Sequence, residues 1–192
     1  MSPRVCPWWL GYFLASPLRR LWQDPRAILE PYVREGMTVL EPGPGMGFFT
    51  LELARRVGTA GRVVAVDVQP RMLAALRRRA ERAGLGHRIE TRRAEGAELG
   101  VADLAGEVGF VLAFALVHEL PDPGAFFEQV ERALARGGRV LVAEPRGHVS
   151  EAAFEETLGL ARGKGLEAVA SPAIRGSRAS VLVRRERAGS AA

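Results

Sequence analysis

Hydrophobic and polar positions change period along the chain, and the changes recur in order. Short strand-like runs stand at Thr38–Glu41, Arg62–Asp67, Arg88–Thr91, Phe110–Phe114 and Arg139–Glu144, most of them rich in valine, leucine and alanine and the third carrying the β-branched Ile89 and Thr91. Their length and composition predict strands. Between them, apolar residues spaced three and four apart predict helices over Phe48–Val57, Pro70–Ala83, Pro123–Ala135 and, after the fifth strand, Ser150–Lys164. Boundary chemistry supports several of these limits. Asp122-Pro123 suits an N-cap and first helical position, while Gly84 and the pair Gly137-Gly138 suit helix ends. Strand-then-helix repeats predict an α/β fold, a parallel sheet covered by helices on both faces. The C-terminal part breaks the rhythm: Leu166–Ala170 and Ser180–Arg184 read as two strands joined by a loop, suited to a hairpin at the sheet edge.

With 192 residues, this pattern predicts one domain over residues 36–185. Residues 1–35 are expected to form one or two short helices, including Leu18–Leu29 around Pro25, and are a candidate lid. Residues 186–192 are expected to be a flexible tail. The aromatic N-terminal stretch "MSPRVCPWWLGYFLASPLRRLW" contains three prolines and no small-residue cleavage pattern, which argues against a signal peptide. An interfacial membrane anchor there is a minor alternative. No apolar run reaches the roughly 18 residues of a membrane span. A single cysteine, Cys6, cannot form an internal disulfide, so a cytoplasmic location is expected. The net charge of +5 and pI of about 10.5 raise the possibility of nucleic acid. Yet Lys164 is the only lysine, and the run Arg77–Arg79 fans around a predicted helix, so solvated helix surface is favoured.

The chemistry concentrates in "VLEPGPGMGFFT", where Gly43, Gly45 and Gly47 follow the first strand at every second position. Glycine is costly in regular structure, so this spacing implies a backbone needing positive φ or close approach to a ligand. A tight turn alone rarely needs three alternating glycines. The arrangement sets backbone N–H groups and a helix N-terminus at the carboxyl end of a strand, where open parallel sheets bind ligands. A dinucleotide fingerprint would need glycine at position 48, which is Phe48, and no Gly-Lys-Ser/Thr triphosphate loop is present.

In these features the chain resembles the class I S-adenosylmethionine-dependent methyltransferases. Glu41, Gly43, Gly45 and Gly47 match the family's acidic-x-G-x-G-x-G motif. Asp67 matches the acid ending its second strand, and Glu95 in "RRAEGAEL" matches the acid after its third, in place of the more usual aspartate. The resemblance runs from about Val33 to Arg184. It implies a Rossmann-like three-layer sandwich, with a seven-stranded, mostly parallel sheet and a reversed last strand. It also implies S-adenosylmethionine as cofactor, with Gly43–Gly47 beside the methionine portion, Asp67 on the ribose hydroxyls and Glu95 near the adenine. Other readings stay open: Asp67 as a helix-capping acid before Pro70, and Glu95 as an exposed loop glutamate.

The resemblance also places the loop after the fourth strand, "FALVHELPDP", beside the methyl acceptor. His118 and Glu119 are its polar pair and the candidate catalytic residues, with a structural histidine as the alternative. Glu144, Arg146 and His148 in "AEPRGHVS" are candidate substrate contacts, against a plain helix entry capped by Ser150. Cys6 and its neighbours Trp8 and Trp9 would face the pocket if the lid closed over it. The three histidines, at 87, 118 and 148, show no metal-ligand spacing. The first motif also resembles that of rRNA adenine dimethyltransferases. Their Asn/Asp-Pro-Pro-aromatic tetrad, however, is replaced here by "FALVHEL", and a 5-methylcytosine enzyme would need a cysteine within the core. A small-molecule acceptor is therefore expected first and RNA second. A non-catalytic S-adenosylmethionine-binding protein and a nicotinamide oxidoreductase are the rivals from other classes.

Overall fold

The structure, a computed structural model, describes residues 23–185. The start of the expected Leu18–Leu29 helix, the candidate lid residues Cys6, Trp8 and Trp9, and the expected tail 186–192 lie outside the described residues. Helix α1 (Pro25–Leu29) is followed by β1 (Thr38–Pro42), α2 (Thr50–Arg56), β2 (Arg62–Asp67), α3 (Pro70–Arg82), β3 (Ile89–Arg93) and β4 (Val108–Phe114). Then come α4 (Pro123–Ala133), β5 (Leu134–Pro145), α5 (Glu151–Gly163), β6 (Leu166–Ala170) and β7 (Ser177–Arg184).

The seven strands form one sheet in the order β3-β2-β1-β4-β5-β7-β6. The pairs among β3, β2, β1, β4 and β5 are parallel, and β7 runs antiparallel between β5 and β6. This is the Rossmann-like sandwich with a reversed last strand. Alternate strand residues feed two cores. Val39, Val63, Phe110, Leu112 and Leu141 pack on one face with α1 and α2, where Tyr32 stacks on Phe110 at 5.5 Å. Leu40, Val64, Val111, Val140 and Val142 pack on the other with Phe126, Phe127 and Val130 of α4 and Phe154 and Leu158 of α5. Burial on both faces explains the near-continuous apolar strands. The strand order reverses direction between β1 and β4, so the connections leaving their carboxyl ends run to opposite faces of the sheet and leave a crevice there.

The caps at Asp122, Ser150 and Gly84 form as expected. Asp122 accepts from the Ala125 N–H at 2.9 Å, Ser150 accepts from the Ala153 N–H at 3.1 Å, and Gly84 leaves α3 at φ +69°. The pair Gly137-Gly138 does something else. Helix α4 ends at Ala133, because Leu134 already pairs with Val108, and a bulge follows before Arg139 pairs with Phe110. Gly138 lies inside that bulge, where a Cβ would meet the Val108 carbonyl oxygen at 2.8 Å. Helix α2 starts at Thr50 instead of Phe48: Phe48 and Phe49 turn inward, their rings edge-to-face at 5.0 Å, and Phe49 packs on Phe114.

Candidate active site

The loop after β1 explains its glycines one by one. All three have positive φ, at +67°, +54° and +84°. Gly43 donates its N–H to the Val66 carbonyl at 2.8 Å, tying the loop to β2, and a Cβ there would press on Leu116 Cδ1 at 2.8 Å. Gly45 faces open space. Gly47 lies against α3, where a Cβ would overlap Leu76. Gly43 and Gly45 thus line a cavity of about 930 Å³, while Gly47 is a packing glycine outside its wall.

The cavity lies over the carboxyl ends of β1, β2, β3 and β4, and acids dominate its charged wall. Glu41, Asp67, Glu95, Glu119 and Asp122 border it, with Arg93 as the one Lys or Arg among the described lining residues. Glu41, at the end of β1, is 3% exposed. Burial, with the nearby Asp67 charge adding to it, pushes its carboxyl up to about 8. The Thr50 hydroxyl lies close enough to ease that shift, yet Glu41 Oε2 and Thr50 Oγ1 form no well-shaped hydrogen bond with each other or with any other group among the described residues. Asp67, 8% exposed at the end of β2, accepts from the Gln69 N–H at 2.8 Å and from the Gly45 backbone. Burial pushes it up to about 6, the backbone donors hold it back, and Glu119 adds a smaller upward push. Glu95 is exposed on a small turn whose backbone pairs with Glu98 at 3.0 and 3.1 Å. Ala94 and Leu99 beside it give the cavity an apolar flank.

Opposite, β4 leads into Ala115, whose φ of +53° is the one positive value on a non-glycine residue among those described. The chain then makes a short 3₁₀ turn, Val117–Glu119. His118 Nδ1 lies 2.5 Å from Glu144 Oε2, and Glu144 Oε1 accepts the Val117 N–H at 2.7 Å. Glu144 is 1% exposed, so the expected substrate contact is instead a buried anchor for the loop after β4. Arg146 also turns away from the cavity, its Nε donating to the Ser177 carbonyl at 3.1 Å. His148 does border the cavity, with its ring 6.0 Å from that of His118. The apolar wall of Phe48, Met72, Leu116, Leu120 and Phe126 was not singled out from sequence, because its members come from four separate segments.

Residues 33–175 match the family model described as a methyltransferase domain. The chain belongs to the class I S-adenosylmethionine-dependent methyltransferase family. Among relatives, it is 33% identical over 109 residues to an arsenite methyltransferase of Halobacterium salinarum, covering 57% of this chain and 27% of that protein. It is 32% identical over 131 residues to the ubiquinone/menaquinone biosynthesis C-methyltransferase UbiE of Hahella chejuensis, covering 68% of this chain and 51% of that one. The chain therefore matches about a quarter to a half of these relatives' lengths. A crystal structure of a SAM-dependent methyltransferase from Aquifex aeolicus shares the fold, with a TM-score of 0.79 at 24% identity over 93% of this chain and 100% of that chain.

The residues present fit the family's cofactor. S-adenosylmethionine carries a sulfonium and an ammonium, and an acid-walled cavity with an unpartnered, buried Glu41 oxygen suits cations. The same wall would repel a dinucleotide's pyrophosphate. The open space at Gly45 admits a ligand close to the backbone.

Proposed function

We propose that this chain transfers a methyl group from S-adenosylmethionine to a small organic molecule in the cytoplasm. The observation that carries this is the cavity itself, where Glu41 and Asp67 at the ends of β1 and β2 share one space with an apolar wall and His118. When bound, the cofactor supplies an electrophilic methyl on a positively charged sulfur. Gly43 and Gly45 leave room for its methionine portion, Asp67 accepts from the ribose hydroxyls, and Glu95 flanks the adenine. Glu41, which burial keeps protonated up to about pH 8, would release its proton and supply a negative charge beneath the loop when the cation binds. Leu116, Leu120 and Phe126 exclude water around the acceptor, which His118 and Glu119 border.

Both relatives are named for small acceptors, which supports a small molecule over RNA. A soft arsenic centre calls for several thiolates, and this chain has one cysteine, so an organic acceptor is favoured. Calorimetric titration with S-adenosylmethionine and S-adenosylhomocysteine, with NAD as control, tests the reading. The first two should bind and NAD should not. Asp67→Ala should weaken binding by about 1.5–3 kcal/mol, roughly 10- to 150-fold, through loss of charge-assisted hydrogen bonds. Unchanged affinity in that variant removes Asp67 from the site, and binding of NAD alone makes the protein an oxidoreductase.

A further inference from the structure

Three groups meet where β4 and β5 end. Glu144 is buried on β5 with both carboxylate oxygens engaged, one by the Val117 N–H and one by His118 Nδ1. A carboxylate only accepts, so the Nδ1 contact requires the proton on Nδ1. In the neutral ring the lone pair then sits on Nε2. His118 borders the cavity with its side chain 23% exposed, and Nε2 forms no hydrogen bond among the described residues. The nearest carboxylate, Glu119, stands 3.9 Å from it, too far for one.

We propose that Glu144 is a positioning residue that locks His118 with a bare Nε2 toward the cavity, and that the site therefore takes an acceptor with a proton to lose, a hydroxyl on an apolar body. The apolar wall of Leu116, Leu120 and Phe126 meets the body, and Nε2 meets the hydroxyl. The proposal rests on the methyl-transfer reading above. The step balances: the O–H proton moves to Nε2 while the oxygen forms its new bond to the methyl carbon. The carbon–sulfur bond breaks with its electron pair left on sulfur. One cation disappears at sulfur and one appears on the imidazole, which lies between Glu144 and Glu119.

A histidine serving only to brace the loop would gain nothing from an exposed Nε2. The charged and titratable groups facing the ring are Glu144 from β5, Glu119 from its own turn and His148 from the loop after β5. The hydrogen bond to Glu144 holds the imidazole above its ordinary range, partial burial works against it, and the charges of Glu144 and Glu119 add to the rise. The pH at which His118 becomes basic is thus raised, and turnover should climb with pH as the imidazole loses its proton.

The test is ¹⁵N NMR of the full chain with labelled histidine. With only His87, His118 and His148 present, His87→Gln and His148→Gln complete the assignment. Neutral His118 should carry its proton on Nδ1, and its titration midpoint should lie above 6.5. In Glu144→Gln a single amide oxygen cannot satisfy both donors, so the midpoint should fall and the tautomer should become mixed. With S-adenosylhomocysteine present, phenols should shift the Nε2 resonance and their methyl ethers should not. An Nε2–H tautomer in the wild type overturns the positioning role even if the variant fails to fold, as does a midpoint unmoved in Glu144→Gln. Equal shifts by phenols and ethers overturn the acceptor class. The calorimetry separates the two readings: a locked ring in a chain that binds no S-adenosylmethionine removes methyl transfer and the acceptor class with it. Cofactor binding with an Nε2–H ring removes only the role of Glu144.

Discussion

Glu41 stands where two demands conflict. Its position at the end of β1 puts a carboxylate under the glycine loop, and the same position strips that carboxylate of water and of a well-formed partner. Its folded-state pKa is about 8, above the unfolded 4.5, so the folded chain holds the proton more tightly. The sign follows directly: this contribution to stability is fully present below pH 4.5 and is lost as pH rises toward 8. Asp67 adds a smaller loss of the same sign between 3.8 and about 6. Glu41→Gln keeps the shape and removes the charge. In denaturant titrations of the cofactor-free protein, the variant should gain on wild type steadily from pH 5 to pH 9. The gain at pH 9 should be on the order of 4 kcal/mol. A gain that does not change with pH would mean that Glu41 ionises in the fold as easily as in water. The same variant should bind S-adenosylmethionine more weakly, because a site built to hold a cation gives up stability when the cation is absent.

Elements whose identity depends on local chemistry could be read from the chain, and those that depend on register could not. Asp122-Pro123, Ser150 and Gly84 carry cap chemistry that acts over three or four residues, so their helices begin or end where expected. Alternating glycines announce positive φ, which is why the loop after β1 was visible. The three distinct jobs of those glycines were not, since Leu116 and Leu76 lie far along the chain. Gly137-Gly138 read as a helix end because a bulge in β5 looks the same in one dimension. Glu144 read as a substrate contact for a related reason. Only the pairing of Phe114 with Ala143 brings Glu144 beneath His118, 26 residues away. The cap at α5 offers a clean check on the local part. Ser150→Ala leaves the Ala153 N–H without its side-chain acceptor and should cost about 1 kcal/mol, lowering Tm by roughly 2–4 °C. Ser150→Asp should restore most of it, because aspartate caps as well as serine does and its charge suits a helix start. If the aspartate variant melts no higher than the alanine variant, the hydroxyl is not acting as a cap.

Across the whole molecule, charge is distributed in a way that bears on the choice of acceptor. The net charge is +5, yet many arginines on the described surface are matched locally. Glu52 faces Arg55 at 3.4 Å and Arg56 at 3.2 Å, Arg62 meets Glu107 at 2.9 Å, and Arg92 meets Asp103 at 2.6 Å and Glu90 at 2.7 Å. Lys164 meets Glu128 at 2.7 Å, and Arg184 meets Glu131 at 3.0 Å. The exposed members of this set add little stability each, about 0–1 kcal/mol, but the pairs neutralise positive charge locally on the described surface. Meanwhile the carboxyl edge of the sheet gathers acids around the cavity, a field that favours a cationic cofactor and disfavours a phosphate backbone at the same mouth. RNA should therefore bind weakly and without preference. Fluorescence anisotropy with labelled single-stranded RNA at about 150 mM salt should give a Kd no tighter than roughly 10 µM, within the range of non-specific attraction. Sub-micromolar binding with a steep salt dependence would show that several phosphates are held at once, and the acceptor would then be a nucleic acid approached from outside the acidic mouth. The two results differ by more than tenfold in affinity, so one titration series decides between a soluble metabolite and RNA as the molecule that meets His118.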